Sequence, residues 1–455
     1  MSSHKGTSPA GQACCEVSES TSRHSSPVTR HSGRLPLAVV LGMSPNGLAI
    51  ARDLGRHGVP VVGIDSLGVD ALPTLRSCYI RPLKLPSLAE HPETWLTALL
   101  ETAKGQETRG VVYPAGDQYA LFLSCYRKEL ELHYHLVIPS DEIVQSLPDK
   151  EKLYEVSLKV GAPSAFTLFP KREEDLASLD GKVRYPCIVK PVRSYLWAGC
   201  SANPYKTQKL VMIHSFDQLL PVFRTVHALG LEVMIQEFIP GPVEDLYGVV
   251  AYFNWKRELQ CHYVAKKVRQ IPADFGVASM IQTVDDPSCA EFGLKFLRGV
   301  GYQGIGHVEI KKDARDGSWK FIEANTRPIL YGALGSAAGL NLPYLAYREL
   351  IGSPIPAPKR YRPGVRWLDF ESDYRTYQIY RRVGKLTRLS WVWSLCSGPN
   401  VGAYFAWDDL GPWMATMRRF LWRWKHVYRN AGGRGVGDGV GETGKTLEEQ
   451  VSGKA

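Results

Sequence analysis

The 455-residue sequence lacks the patterns that mark several common classes of protein. Its nine cysteines form no CxxC pair, and an odd number in a chain of this length argues against a disulfide framework or a zinc knuckle. No apolar run approaches the roughly 18 residues that cross a bilayer. The polar, Ser-rich amino terminus has no apolar core like that of a secretory signal. The sequence therefore predicts a cytoplasmic protein in a reducing compartment.

The composition that is present indicates a folded, basic, multidomain protein. Hydrophobic residues make up 44% of the chain, which is enough for well-packed cores. The length predicts roughly two to three domains. The formal net charge of +10 favours anionic partners such as nucleotide phosphates or acidic substrates. Nucleic acid is not expected, because no recognised nucleic-acid-binding module is present.

The apolar runs divide the chain into five segments. Strands alternating with helices over residues 35–145 predict a parallel-sheet, Rossmann-like α/β domain. Hairpins and helices over 146–350 predict an α+β domain with antiparallel sheets. Residues 351–430, rich in Pro, Arg and Trp, form a C-terminal extension. Residues 1–34 and 431–455 are expected to be disordered tails because they hold few aliphatic side chains.

Two acidic residues and an amide are predicted to meet on one face of a hairpin. By the period of two, His307 and Glu309 share a face of one strand. Phe321, Glu323 and Asn325 share a face of the next strand, and a turn between the strands sets Glu309 beside Glu323. Like charges opposed across strands are costly unless a cation neutralises them. The face therefore suits Mg²⁺ that bridges nucleotide phosphates; a solvated strand face is the alternative.

Three cationic side chains are predicted near this face. Arg327 lies two residues beyond Asn325 and can hold a phosphoryl group through two hydrogen bonds. Lys190 ends an apolar strand, where an anion can meet it. Lys150 lies in the first turn of a helix, against the helix dipole, and a phosphate partner would explain that position. Ordinary surface lysines are the alternative for both.

The order of these residues resembles the ATP-grasp superfamily, and within it the carboxylate–amine ligases, including the D-aspartate ligase-like and carbamoyl-phosphate-synthase-like proteins. The resemblance covers about residues 36–350. It rests on Lys150, Lys190, the QEFIPG motif from Gln236, Glu309 and the E-A-N-T-R motif from Glu323. Two longer segments, DKEKLYEVSLKVGAPSAFT and AKKVRQIPADFG, also look like family segments.

The resemblance implies an enzyme that uses ATP and Mg²⁺, with Mn²⁺ as a substitute. It would activate a small carboxylate as an acyl phosphate, join it to an amine, and release ADP and phosphate. The implied nucleotide contacts are Lys150 and Lys190 for the phosphates, Glu237, Phe238 and Ile239 for adenine, and Glu244 or Asp245 for ribose. The implied metal ligands are Glu309, Glu323 and Asn325. The implied contacts of the transferring phosphoryl group are Arg327, Lys267 and Arg269.

Two departures leave other functions open. The stretch after Lys190, RSYLWAGCSANPYKTQK, lacks the Gly- and Ser-rich lid of most family members, which is consistent with a degenerate ATP-binding or scaffold protein. The loop GMSPNG follows the first strand and is expected to face the nucleotide cleft and help bind substrate. With Asp65 about twenty residues on, it also permits a dinucleotide-dependent oxidoreductase. The loop lacks the GxGxxG pattern, however.

The segment GPWMATMRRFLWRWKHVYR predicts a basic amphipathic helix. One face carries Trp413, Met417, Phe420, Leu421, Trp424 and Tyr428, and the other carries Arg418, Lys425 and Arg429. Such a helix can lie on an anionic membrane, which would give the protein a peripheral membrane contact. Packing of the apolar face on its own domain is the commoner arrangement. The sequence predicts neither the identity of the substrates nor the oligomeric state.

Overall fold

The fold begins with a sheet of five parallel strands, in the order β3-β2-β1-β4-β5. A computed structural model describes residues 35–179, 182–208, 210–272 and 276–428. The predicted tails, 1–34 and 431–455, lie outside the described residues. The strands are β1 (Ala38–Leu41), β2 (Val61–Asp65), β3 (Arg81–Lys84), β4 (Gly110–Pro114) and β5 (Tyr134–Leu136). The helices are α1 (Pro45–Gly55), α2 (Pro92–Ala103), α3 (Asp117–Cys125), α4 (Arg127–Leu130) and α5 (Asp141–Ser146).

This sheet confirms the predicted parallel α/β unit. β1, β2 and β4 are fully buried apolar runs, as expected for strands covered on both faces. β3 was not predicted, because its sequence RPLK is mostly exposed and contains a proline. Proline is tolerated at a sheet edge, where β3 lies.

A small antiparallel sheet follows, in the order β6-β9-β7-β8. Its elements are α6 (Lys150–Lys159), β6 (Thr167–Leu168), β7 (Cys187–Pro191), α7 (Ser194–Gly199), β8 (Val211–Ile213), α8 (Phe216–Ala228) and β9 (Val233–Glu237). Asp149 caps α6 by accepting from the backbone amides of Glu151 and Lys152, at 3.0 and 3.2 Å. The cap fixes the start of α6 and with it the backbone of Lys150.

A seven-stranded sheet, in the order β14-β13-β10-β11-β12-β15-β16, forms the centre of the fold. Its elements are β10 (Leu246–Phe253), β11 (Leu259–Ile271), β12 (Val277–Val284), α9 (Pro287–Gly299), β13 (Gly304–Lys312), β14 (Trp319–Asn325), α10 (Ala333–Ala337) and α11 (Leu342–Leu350). The predicted hairpins β10–β11 and β13–β14 are both present as antiparallel pairs. One face of β10 and β13 packs with α9 in an apolar core.

The C-terminal extension is part of this sheet, which the sequence did not reveal. Its elements are β15 (Arg366–Leu368), α12 (Phe370–Arg382), α13 (Arg388–Cys396), β16 (Asn400–Gly402) and α14 (Gly411–Arg423). β15 pairs with β12, and β16 pairs with β15. Within the described residues, every helix is too short or too polar to span a bilayer. The predicted boundaries at 145, 350 and 430 stay predictions.

Candidate active site

The β13–β14 hairpin brings the predicted carboxylates together. Its register sets Glu309 opposite Glu323 and His307 opposite Asn325. Val308 and Ile310 turn to the apolar core, so Glu309 lies on the other face of β13, as predicted. Glu323 is solvent-exposed and Glu309 is half-buried. Two carboxylates and an amide therefore meet at one sheet edge.

The prediction that Phe321 shares the face of Glu323 is wrong. The register shifts after Glu309, so that Ile310 pairs with Phe321 and Ile322 is an extra residue on β14. Such a bulge breaks the period of two. Phe321 consequently turns inward and stacks on Phe296 in the core, with ring centroids 4.5 Å apart.

Three lysines from three elements surround the carboxylates. Lys267 Nζ, on β11, lies 3.1 Å from Glu309 Oε1. Lys190 Nζ, on β7, donates to Gln236 Oε1 at 3.1 Å, and Lys150 Nζ, on α6, donates to the carbonyl of Pro191 at 2.6 Å. The small and large sheets thus contribute cations to the same cleft.

The pKa values of these groups indicate a site of strongly interacting charges. Burial, together with the nearby Lys150, lowers the pKa of Lys190 to about 8, although Glu323 and Glu309 oppose the shift. Burial acts to raise the pKa of Glu309, but the charge and hydrogen bond of Lys267, together with the charge of Lys190, help to outweigh it, so the pKa is lowered. Although part of its side chain is exposed, desolvation by the groups packed around the Glu323 carboxylate, followed by repulsion from Glu309, raises its pKa. A bound cation would favour both carboxylates in their ionised form.

The linker between β9 and β10, predicted to line the adenine pocket, is fastened to the large sheet. Arg315 forms an ion pair with Glu237. Lys311 Nζ lies 5.2 Å from the ring centre of Phe238 and donates to the carbonyl of Ile239 at 2.8 Å. The linker is therefore held in a defined conformation beside the cleft.

The two ribose candidates differ in their surroundings. Glu244 is exposed, whereas Asp245 is half-buried. Burial lowers the pKa of Lys311, and the charge of Asp245 opposes that shift, so Asp245 lies near Lys311. Asp245 is thus the candidate next to the linker.

Arg327 lies beside the carboxylates, but its guanidinium is already paired. Nε and Nη2 donate to the two carboxylate oxygens of Asp117 at 2.8 and 3.1 Å. Nη1 donates to the carbonyl of Pro328 at 3.1 Å. Arg327 therefore joins the E-A-N-T-R motif to the start of α3 in the parallel-sheet part of the fold.

The structure does not bring Arg269 to the carboxylates. Its Nε and Nη2 donate to Asp373 on α12 at 2.7 and 2.9 Å, in a fully buried ion pair. The register between β11 and β12 shifts on both sides of Arg269, so it does not share the face of Lys267. The role predicted for Arg269 at the phosphoryl group has no support in this geometry.

The GMSPNG loop lies against the segment that follows Arg327. Asn46 Nδ2 donates to the carbonyl of Pro328 at 2.6 Å and to that of Ala115 at 3.1 Å. Asp65 accepts from the backbone amides of Met43, at 2.6 Å, and Leu67, at 3.0 Å. Both carboxylate oxygens of Asp65 therefore accept hydrogen bonds from the backbone. A dinucleotide site would need this carboxylate to bind ribose instead. The oxidoreductase alternative loses its supporting residue.

Three known proteins with significant similarity share most of their length with this chain. D-aspartate ligase of Enterococcus faecium (strain Aus0004) is 22% identical over 281 residues, which are 59% of this chain and 66% of the ligase, just under two thirds of its length. The ADP complex of N5-carboxyaminoimidazole synthetase from Staphylococcus aureus has a TM-score of 0.55 at 14% identity, covering 73% of this chain and 81% of the synthetase. L-amino acid ligase from Bacillus licheniformis has a TM-score of 0.52 at 15% identity, covering 73% and 78%. No protein-family model matches the sequence.

These similarities agree with the resemblance of the motifs to the ATP-grasp superfamily. The parallel sheet, the small antiparallel sheet and the large, mostly antiparallel sheet form the fold that the solved neighbours share with this chain.

The donor set of this site fits a hard divalent cation bound together with phosphates. Within the described ranges, no cluster of three or more His, Cys, Asp or Glu side chains could hold a metal ion by itself. Glu309, Glu323 and Asn325 supply only carboxylate and amide oxygens, which Mg²⁺ prefers. Mg²⁺ keeps several other ligands, commonly water and substrate phosphates. A nucleotide would therefore complete the coordination.

Two residues of the site were not predicted. Gln236 accepts from Lys190 and donates through Nε2 to Thr167 Oγ1 at 2.9 Å, so it fixes the lysine against β6. Asp117 was missed although it follows a buried strand, and the carboxyl ends of parallel strands commonly carry functional residues. Its position just after a parallel strand was the feature of the sequence from which Asp117 could have been predicted.

The atypical lid segment is a folded unit within the described residues. Trp197 is buried and donates from Nε1 to the carbonyls of Tyr205 and Gln208, at 2.9 and 3.0 Å. Asn203 Nδ2 donates to the carbonyl of Trp197 at 3.1 Å. A tryptophan anchor thus stands where most ATP-grasp enzymes have a Gly- and Ser-rich lid.

Proposed function

We propose that this protein is an ATP- and Mg²⁺-dependent ligase, which phosphorylates a carboxylate and joins the product to an amine. The observation that carries the proposal is the pairing of Glu309 with Glu323 across the hairpin, with Asn325 alongside and three lysines around them. A scaffold protein would have no need to keep such mutually repelling carboxylates in one cleft. A degenerate site would be expected to have lost at least one of these groups.

The residues divide the work between the two sheets. Lys150 and Lys190 would bind the nucleotide phosphates, and Glu237, Phe238 and Ile239 would line adenine. Glu309, Glu323 and Asn325 would hold Mg²⁺, whose chemistry is to offset charge on the γ-phosphoryl group and its leaving oxygen.

The reaction would proceed in two displacements. A carboxylate oxygen attacks the γ-phosphorus and the bond to ADP breaks, giving an acyl phosphate. The amine then attacks the acyl carbon, phosphate leaves, and the nitrogen releases a proton. Lys267 lies at Glu309 and would offset charge on the transferred group, while Arg327 would act while joined to Asp117. Positioning and fixed charges supply the catalysis.

An ADP-release screen of amino acids and small carboxylates, offered in pairs with Mg²⁺, tests the proposal. Amino acids come first because two of the similar proteins are named as ligases of amino acids. ADP and phosphate should appear only when both substrates are present. Formation of AMP and pyrophosphate would refute the proposal. ATP binding without turnover on any pair would favour a scaffold function.

We also propose a peripheral membrane contact, because α14 turns part of its predicted apolar face to solvent. Phe420 is buried against Phe370 and Tyr374 of α12. Leu421 of the predicted face and Met414, which lies outside it, are each 61% exposed. Other exposed side chains on and just beyond α14 are Trp413, Arg418, Trp424 and Lys425. Of the predicted faces, Tyr428 and Arg429 lie outside the side chains that the structure describes.

The charge on this surface favours an anionic membrane over a second copy of the chain. Residues 410–430 contain no Asp or Glu, so two copies would set basic faces against each other. Exposed tryptophans beside basic residues are typical of membrane interfaces. A cytoplasmic location remains a prediction; the seven cysteines of the described residues are free, as a reducing compartment would require.

Cosedimentation with phosphatidylserine-containing vesicles tests this contact. The paired change Met414→Glu and Leu421→Glu should abolish binding. The matched control is Leu132→Glu, at a leucine that is 74% exposed and lies far from α14 in the sequence. Binding unaffected by the paired change, or a dimer that the paired change dissociates, would overturn the membrane contact.

A further inference from the structure

His307 is buried behind the carboxylates and touches one of the proposed metal ligands. It is 3% exposed and lies opposite Asn325 in the hairpin register. Its Nδ1 is 3.0 Å from Asn325 Nδ2, and its Nε2 is 2.9 Å from the hydroxyl of Tyr331. A chain of three polar side chains therefore runs from the site into the core.

The chemistry of the amide determines which atom donates in each of these hydrogen bonds. An amide nitrogen only donates, so His307 Nδ1 accepts and carries no proton. The ring proton is then on Nε2 and is donated to the oxygen of Tyr331. Once Nδ2 of Asn325 is held by the histidine, Oδ1 is the atom left for the cleft, and no described residue donates to it.

The rings of His307 and Tyr331 have room to meet because the neighbouring strand, β10, carries a glycine beside them. Gly248 lies opposite Glu309 in the register of β10 and β13. A Cβ at Gly248 would come 2.3 Å from the hydroxyl of Tyr331 and 2.7 Å from His307 Nε2. Any larger residue would push the two rings apart. The glycine is a second, independent link to the same arrangement.

We propose that His307, held by Tyr331, is a positioning residue that orients the amide of Asn325 so that Oδ1 faces the cation between Glu309 and Glu323. The inference rests on the proposed function, because it assumes that this cleft binds a divalent cation with the nucleotide. Residues that orient a metal ligand typically change metal affinity by about 10- to 100-fold when they are replaced.

The experiment measures Mn²⁺ affinity in the presence of saturating ADP, by electron paramagnetic resonance of free Mn²⁺. His307→Leu removes the acceptor, and we expect affinity for Mn²⁺ to fall at least about tenfold. His307→Asn restores an acceptor near the position of Nδ1 and should recover affinity to within about threefold of the wild type. ADP binding without metal should be the same in all three proteins, which a general loss of structure would not allow.

Tyr331→Phe and Gly248→Ala keep the test decisive if His307→Leu does not fold. Each should weaken Mn²⁺ binding while metal-free ADP binding stays unchanged, and Gly248→Ala should have the larger effect because it displaces both rings. Wild-type Mn²⁺ affinity in the folded variants would overturn the positioning role. Failure of the wild-type protein to bind Mn²⁺ with ADP would instead overturn the proposed function, and the positioning role with it.

Discussion

Strand β11 supplies two ion pairs two residues apart, and they differ in almost every respect. The pair of Lys267 and Glu309 has one contact, at 3.1 Å, and the Glu309 side chain is 23% exposed. The pair of Arg269 and Asp373 has two contacts, at 2.7 and 2.9 Å, and both side chains are buried. Asp373 also accepts from Ser279 and Trp391.

The difference separates a pair that can bind a ligand from a pair that only stabilises the fold. We call Lys267–Glu309 the open pair and Arg269–Asp373 the closed pair. A carboxylate offers about four lone-pair positions, and Asp373 has all its capacity directed at protein donors. Glu309 accepts from one donor among the residues that the structure describes and faces the cleft, so most of its capacity is left for a ligand. Completeness of hydrogen bonding, rather than the presence of charge, distinguishes the two.

Glu323→Ala should produce the largest effect and would test the open pair. The variant loses a ligand for the cation that offsets charge in the transition state, so turnover should fall by at least about 1,000-fold, roughly 4 kcal/mol. Because Glu323 is solvent-exposed, the melting temperature should change little. ADP release and thermal unfolding measure the two effects. Asn325→Ala should behave likewise, and retained turnover in both variants would place the chemistry elsewhere.

Asp373→Ala should have the opposite profile. It strands Arg269 in the core, and we expect a loss of about 3–5 kcal/mol in the free energy of unfolding, measured in urea. The double change Arg269→Met with Asp373→Leu should recover most of that loss, because no buried charge remains. Unaltered stability of Asp373→Ala would contradict the contrast between the two pairs.

Lys190 predicts how the open site responds to pH. Its protonated amino group would attract phosphates, and burial lowers its pKa to about 8. ATP affinity should therefore be highest below pH 8 and should fall as the pH rises through 8, by roughly tenfold between pH 7 and 9 because only about one tenth of the group stays protonated. Calorimetric titration at several pH values measures this. Lys190→Met should bind weakly and without that pH dependence.

The matched control for this pH experiment is Lys159→Met, an exposed lysine at the end of α6. It should keep both the affinity and the pH dependence of the wild type. A wild-type profile that is flat between pH 7 and 9 would mean that Lys190 does not meet the phosphates.

The sequence predicted the open site better than the closed pair, for physical reasons. Val308 and Ile310 alternate cleanly with polar neighbours, which is enough to assign the face of Glu309 and the partner strand. The bulges at Ile322 and Arg269 depend on packing between strands, so the alternation of polar and apolar residues in the sequence does not predict them. Strands of three residues, such as β15 and β16, are too short to show a period, so the extension could not be placed in the sheet.

A buried and an exposed ion pair also lie side by side where the segment after β16 contacts α1. Removing the exposed pair should have the smallest effect predicted for this protein. Arg52 and Asp409 form a buried pair, with side chains 6% and 1% exposed. Arg56 and Asp408, next to them, form a pair with side chains 40% and 42% exposed. Asp408→Asn should therefore cost less than about 1 kcal/mol in the free energy of unfolding, and less still in high salt.

The effect of pH on that exposed pair has a defined sign. The Arg56 guanidinium lowers the pKa of Asp408 well below its ordinary value. The contribution of ionised Asp408 to stability is therefore fully present above its unfolded-state pKa. It is lost as the pH falls through the lower pKa of Asp408 in the folded state. The stability difference between wild type and Asp408→Asn should shrink from pH 7 toward strong acid. Asp409→Asn should cost several times more than Asp408→Asn at pH 7, because it leaves Arg52 buried without a carboxylate. Equal costs for the two variants would show that burial does not govern the strength of these pairs.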